Sequence, residues 1–79
     1  MNKLQTKIIT GALKMARKNG GVNMMELCKY LKAESVKEKS DVMRSVNDLI
    51  ADGYLRRTIP VIGSPVIYAL PKARDAVDL

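Results

Sequence analysis

The sequence predicts a small α+β domain, three helices followed by a C-terminal β-hairpin. Apolar residues recur at helical spacing in three stretches before residue 53. The second and third stretches each open on a capping-box pattern, Asn23-Met24-Met25-Glu26 and Ser35-Val36-Lys37-Glu38. After Gly53 the pattern changes to alternation, and Gly63-Ser64-Pro65 separates two runs of strand formers.

The first helix is expected over residues 3–18. Leu4, Ile8, Ala12, Met15 and Ala16 share one face, widened by Ile9 and Leu13. Arg17 and Lys18 suit the negative end of the helix dipole, and Asn19-Gly20-Gly21 is a stop signal. A second helix is expected over 24–32, with Met24, Leu27, Cys28 and Leu31 as its apolar positions. The third, over 36–52, buries Val42, Met43, Val46, Leu49 and Ile50, and Gly53 supplies a left-handed cap without a Cβ penalty. Its start has two candidate caps, Ser35 and Ser40; a start at Ser35 aims Lys39 toward the buried side.

The hairpin is expected over 54–70. Leu55, Arg57 and Ile59 alternate with Tyr54, Arg56 and Thr58, and Tyr68 and Leu70 share a face of the returning strand, with Leu55, Tyr68 and Leu70 read as core. Pro60 and Pro65 cannot donate ladder hydrogen bonds, so both belong near the tip. Pro71 ends the strand, and residues 72–79 form a short tail of at most two frayed helical turns.

The 79 residues, 47% hydrophobic, suit one domain over 1–79. There is no Phe or Trp, so the core must be aliphatic. Cys28 is the lone cysteine, which excludes an intramolecular disulfide and fits a buried thiol in a reducing cytoplasm. No run approaches the roughly 20 apolar residues of a membrane span, and Lys14, Arg17 and Lys18 interrupt any signal-peptide core. The expectation is a soluble, unprocessed cytoplasmic protein without membrane attachment. Catalysis has no support: there is no His, Cys28 has no neighbouring base, Gly20-Gly21 lacks the phosphate-loop pattern, and the acids lack metal-ligand spacing. No cofactor and no metal are expected.

The chain resembles the winged helix-turn-helix superfamily over roughly residues 4–70. The likeness rests on the basic amphipathic first helix, on NMMELCKYL as the second, and on SDVMRSVNDLIADGYLRR, which runs the third helix through Gly53 into a strand. LIADGYL matches the leucine–glycine–aliphatic junction of these domains, and Tyr68-x-Leu70 is similar to their returning strand. Small single-domain examples are frequent among phage and prophage regulators. The resemblance implies a three-helix winged helix-turn-helix fold whose hairpin is the wing, and duplex DNA as partner. One departure is the connection between Leu31 and Val42, longer than the tight turn of simple helix-turn-helix proteins.

The formal charge of +6 favours an anionic partner. Residues 1–20 hold five bases and no acid, and Lys3, Lys7, Lys14, Arg17 and Lys18 form one stripe on the first helix. Lys3, Lys7 and Lys14 are candidate phosphate attractors. On the third helix Lys37, Asp41, Arg44 and Asp48 lie opposite Val46, flanked by Ser40, Ser45 and Asn47. Arg44 is the candidate for bidentate guanine contact, with Ser40, Ser45 and Asn47 for other base edges. The face alternates in sign, which is also the pattern of an ordinary solvated surface. Arg56 and Arg57 lie at the hairpin base as phosphate contacts, whereas the tip, IPVIGSPVIY, has no charge. The expected function is sequence-specific duplex DNA binding in transcription regulation. The alternative is a protein-interaction module, or a homodimer, docking through Val61 and Ile62 with the rest of the tip buried.

Overall fold

The computed structural model describes residues 1–15, 21–59, 61–63 and 65–77. Helix α1 spans Lys3–Lys14, strand β1 Val22–Asn23, helix α2 Met24–Leu31, helix α3 Val36–Ala51, strand β2 Leu55–Thr58, strand β3 Val66–Ala69 and helix α4 Pro71–Ala76. These make a small α+β fold with an antiparallel sheet in the order β1-β3-β2. The far end of the expected first helix, with Arg17 and Lys18, lies outside the described residues, as do Pro60 and Ser64 of the hairpin. No helix among the described residues is long and apolar enough to cross a membrane.

Local chemistry sets the helix starts. Asn2 and Gln5 form a reciprocal capping box on α1, with the Gln5 N–H donating to Asn2 Oδ1 at 2.8 Å. The Glu26 N–H donates to Asn23 Oδ1 at 2.8 Å and opens α2. Ser35, not Ser40, caps α3: the Glu38 N–H donates to Ser35 Oγ at 3.1 Å and the Ser35 N–H to Glu38 Oε1 at 3.3 Å. The bond from the Ser35 side chain, then that from its backbone, holds the Glu38 carboxyl below its ordinary 4.5. Lys39 remains exposed despite that start, because the core-facing side of α3 lies further round the helix.

The helix ends explain the connection between α2 and α3. Gly53 adopts φ 84° and closes a Schellman pair on α3, its N–H donating to the Ile50 carbonyl and the Tyr54 N–H to the Leu49 carbonyl. Lys32 closes the same pair on α2 with φ 58°, its N–H donating to the Lys29 carbonyl and the Ala33 N–H to the Cys28 carbonyl. The link is therefore only residues 32–35, shorter than the sequence suggests. A left-handed backbone costs a non-glycine residue about 1–2 kcal/mol, so Lys32 is a strained way to make this turn.

The core is a single cluster. Ile8, Ile9 and Ala12 of α1 meet Leu27 and Cys28 of α2, Val42, Val46 and Leu49 of α3, and Val22, Leu55 and Ile67 of the sheet. Met43, expected inside, is half exposed. Ile67 rather than Tyr68 or Leu70 fills the centre. The register pairs Leu55 with Ala69 and Arg57 with Ile67, and directly opposed residues share a face. Tyr68 falls on the outer face opposite Arg56, where its hydroxyl accepts from Thr58 Oγ1 at 3.2 Å. The tail is also more ordered than expected. Pro71 supplies the first residue of α4, Ala73 and Val77 are buried in the core, and Lys72 Nζ donates to the Asp52 carbonyl at 2.8 Å. Lys72 also lies 4.4 Å from the Tyr54 ring centre, so it fixes α4 to the end of α3.

Strand β1 was not legible as a strand. It pairs Val22 with Ile67 and Asn23 with Val66, and brings the Gly21 backbone against β3. A Cβ at Gly21 would overlap Val66 Cγ1. Gly21→Ala should therefore destabilise the protein by about 1–3 kcal/mol through overpacking. Denaturant melting checks this; an unchanged midpoint would show that β1 yields without cost.

Candidate nucleic-acid interface

The buried residues of α3 are Val42, Ser45, Val46 and Leu49. At about 100° per residue their mean direction lies roughly 50° from Val46 toward Leu49. The opposite face is thus centred on Ser40, Arg44 and Asn47, all exposed, with Lys37 and Asp48 exposed at one margin and Met43 at the other. Two sequence-level candidates change place. Ser45 is buried and leaves the groove-facing set. Asp41 is half-buried, which removes an acid from the middle of the face. The alternation of sign is weaker than the sequence pattern implies, since the axis of the exposed face is rotated away from Asp41.

The β2 strand brings a further base to this helix. Arg57 lies on the sheet face that carries Leu55 and Ile67, and its Nη2 donates to Asn47 Oδ1 at 2.6 Å. The bond is exposed, so its stabilisation is modest. Its main effect is positional: it couples the hairpin base to the C-terminal part of α3. It also changes what Asn47 offers. Bidentate recognition of adenine uses both the Asn oxygen and nitrogen; here one lone pair of the oxygen is engaged by Arg57, leaving the amide N–H groups as the freer pair. Together with the remaining guanidinium N–H groups, the two side chains present mostly donors, matched to phosphate oxygens or the acceptor edge of guanine. Arg44 makes no hydrogen bond among the described residues, and its donors stand open. This Arg57–Asn47 link was not visible in the sequence, since ten positions and a helix-ending turn separate the two residues.

Arg56 lies on the outer sheet face and is exposed. Lys3, Lys7 and Lys14 are exposed on α1, away from Ile8, Ile9 and Ala12. Arg17 and Lys18 of that stripe lie outside the described residues.

The hairpin tip is more exposed than expected. Strand pairing stops at Thr58 and Val66. Beyond it Ile59, Val61 and Ile62 all face solvent, so Ile59 joins the tip rather than the core. Strand parity alone would place Ile59 on the face of Leu55, but there is no core beyond Thr58 for it to meet.

Ile62 is 90% exposed and Ile67 0%. Ile62→Asp should shift stability by under about 0.5 kcal/mol. Ile67→Asp buries an unpaired carboxylate, costs several kcal/mol and should unfold the domain. Thermal melts of the two variants, read side by side, check the contrast; unfolding of Ile62→Asp would place the tip in the core.

No family model matches the chain, and no curated protein or solved structure does. The roles of the residues on this face therefore rest on their geometry.

Proposed function

We propose that this protein binds duplex DNA in the manner of a winged helix-turn-helix domain and acts in transcription regulation. The observation that carries the reading is the exposed face of α3, Ser40, Arg44 and Asn47, with Arg57 bonded to Asn47. In this reading α3 enters the major groove and the β2–β3 hairpin is the wing. Arg44 reads guanine, and Ser40 and Asn47 contact neighbouring edges. Arg56 and Arg57 hold phosphates beside the groove, Lys37 flanks them, and Lys3, Lys7 and Lys14 add sequence-independent attraction. The net charge of +6 favours the same partner.

A protein-interaction reading stands beside it, favoured by the exposed Ile59, Val61 and Ile62 at the hairpin tip. Here the tip docks on a partner protein or a second copy. Sedimentation separates the readings: self-association that Ile62→Asp abolishes, with no DNA binding at low salt, favours the second.

Affinity for mixed-sequence duplex DNA should fall linearly with salt on a log–log plot, with a slope of about 0.9 per phosphate neutralised. A fluorescence anisotropy titration at several salt concentrations measures it. Undetectable binding at low salt, or affinity independent of salt, would sink the DNA reading.

Against a site selected from random duplexes, Arg44→Ala should lose roughly 1–3 kcal/mol of binding. Circular dichroism should show the variant folded, because Arg44 is exposed. Full retention of affinity would move base recognition away from this face of α3.

A further inference from the structure

A groove of about 550 Å³ opens between α2 and α3, beside the face assigned to DNA. Its apolar lining comes from Met24, Met25, Cys28 and Met43. Met25 is 71% and Met43 50% exposed, a poor use of apolar surface in a domain with so small a core. Methionine is unbranched and polarisable, and methionine-lined surfaces adapt to varied apolar partners. The charged lining is mostly basic: Lys29 and Lys32 come from the α2 side and Lys39 from α3, against Glu34 alone. The lysines thus stand on both walls.

Lys32 provides an independent observation. It occupies the left-handed position that closes α2, with φ 58° and ψ 34°. Glycine does the same task at the end of α3. Strained non-glycine residues concentrate where a side chain serves binding, and the Lys32 side chain lines this groove.

We propose that this groove binds a helical segment of a partner protein, apolar on one face and acidic along both flanks of that face. The apolar face lies on the methionines, in the helix-in-groove mode. Acids on the two flanks meet Lys29 and Lys32 on one wall and Lys39 on the other. Lysines on both walls suit a segment that carries acids on both flanks. The proposal stands apart from the DNA reading, because Ser40, Arg44 and Asn47 do not line the groove.

The test uses the full chain with ¹³C-methyl methionine. Its five methionines include two outside the groove, Met1 and Met15, as internal controls. The probe is a synthetic amphipathic peptide with leucine on one face and glutamate on both flanks. A second peptide keeps the leucines and replaces every glutamate by lysine; sodium laurate is the single-headed anion. The acidic peptide should move the Met24, Met25 and Met43 methyl signals, leave Met1 and Met15 in place, and bind at least about tenfold more tightly than the basic peptide, as several exposed ion pairs together would give. Lys32→Gly should weaken the acidic peptide about two- to fivefold while raising the melting midpoint by about 2–6 °C. Loss of binding in a more stable protein identifies a functional lysine rather than a structural one. Arg44→Ala should bind the peptide as the parent does. Unmoved groove methyls, or equal responses to the two peptides, would overturn the proposal. So would laurate binding more tightly than the acidic peptide, or shifts of the same methyls with protein concentration alone, which would make a second copy the occupant.

Discussion

Ile67 sits in the middle of the three-stranded sheet, opposite Val22 on one side and Arg57 on the other, and is fully buried. The rest of the fold leans on that position. A two-stranded hairpin is marginal in water on its own, so β2 and β3 depend on what covers their inner face and on the third strand. Both come from the chain that precedes the hairpin: β1 supplies the strand, and α1 and α3 supply the cover. β1 runs directly into Asn23, which caps α2, so the same few residues pair with the sheet and start a helix. The absence of a side chain at Gly21 is what lets this segment lie against Val66.

This arrangement also makes the candidate interface. The Schellman turn at Gly53 ends α3 and sends the chain into β2 within a few residues, and the pairing of Arg57 with Ile67 holds the hairpin base close to α3. The bond from Arg57 to Asn47 is a consequence of that register. A one-residue slip would turn Arg57 outward and bring Arg56 to the core side. The position of the hairpin charge relative to the helix is thus set by the apolar pattern of β3, not by any charge–charge attraction. The uncharged tip follows from the same geometry. Pairing ends at Thr58, so Ile59, Val61 and Ile62 extend past the core into solvent.

Two turns with the same hydrogen bonds have different residues at the left-handed position, Gly53 after α3 and Lys32 after α2. At Gly53 stability and sequence signal coincide. At Lys32 the backbone is strained and the side chain lines an apolar groove. The groove exists because the turn is short: residues 32–35 bring the start of α3 back alongside α2. The methionines of NMMELC and Met43 have helical spacing that suits a core, yet the close turn leaves part of that surface open.

Although it left the α3 cap between Ser35 and Ser40, the sequence by itself determined the helices, the cap at Asn23, the glycine end of α3, the hairpin and most of the aliphatic core. Each depends on contacts within a few residues or on a strong periodicity. It determined less at places where a partner distant in the chain decides. The pairing of Val22 with Ile67 made a strand of two residues too short to carry any pattern. The choice of Ile67 over Tyr68 and Leu70 required the register, because strand alternation fixes which residues share a face but not which face meets the core. Ser45 became buried, and Asp41 partly so, because the sheet and α1 meet α3 on a side rotated from Val46. α4 looked like a fraying tail because its stability comes from Ala73, Val77 and the Lys72 bond to Asp52, none of them local. The tight turn at Lys32 was hidden because a lysine in a left-handed conformation leaves no mark in the sequence; only the packing of α2 against α3 imposes it.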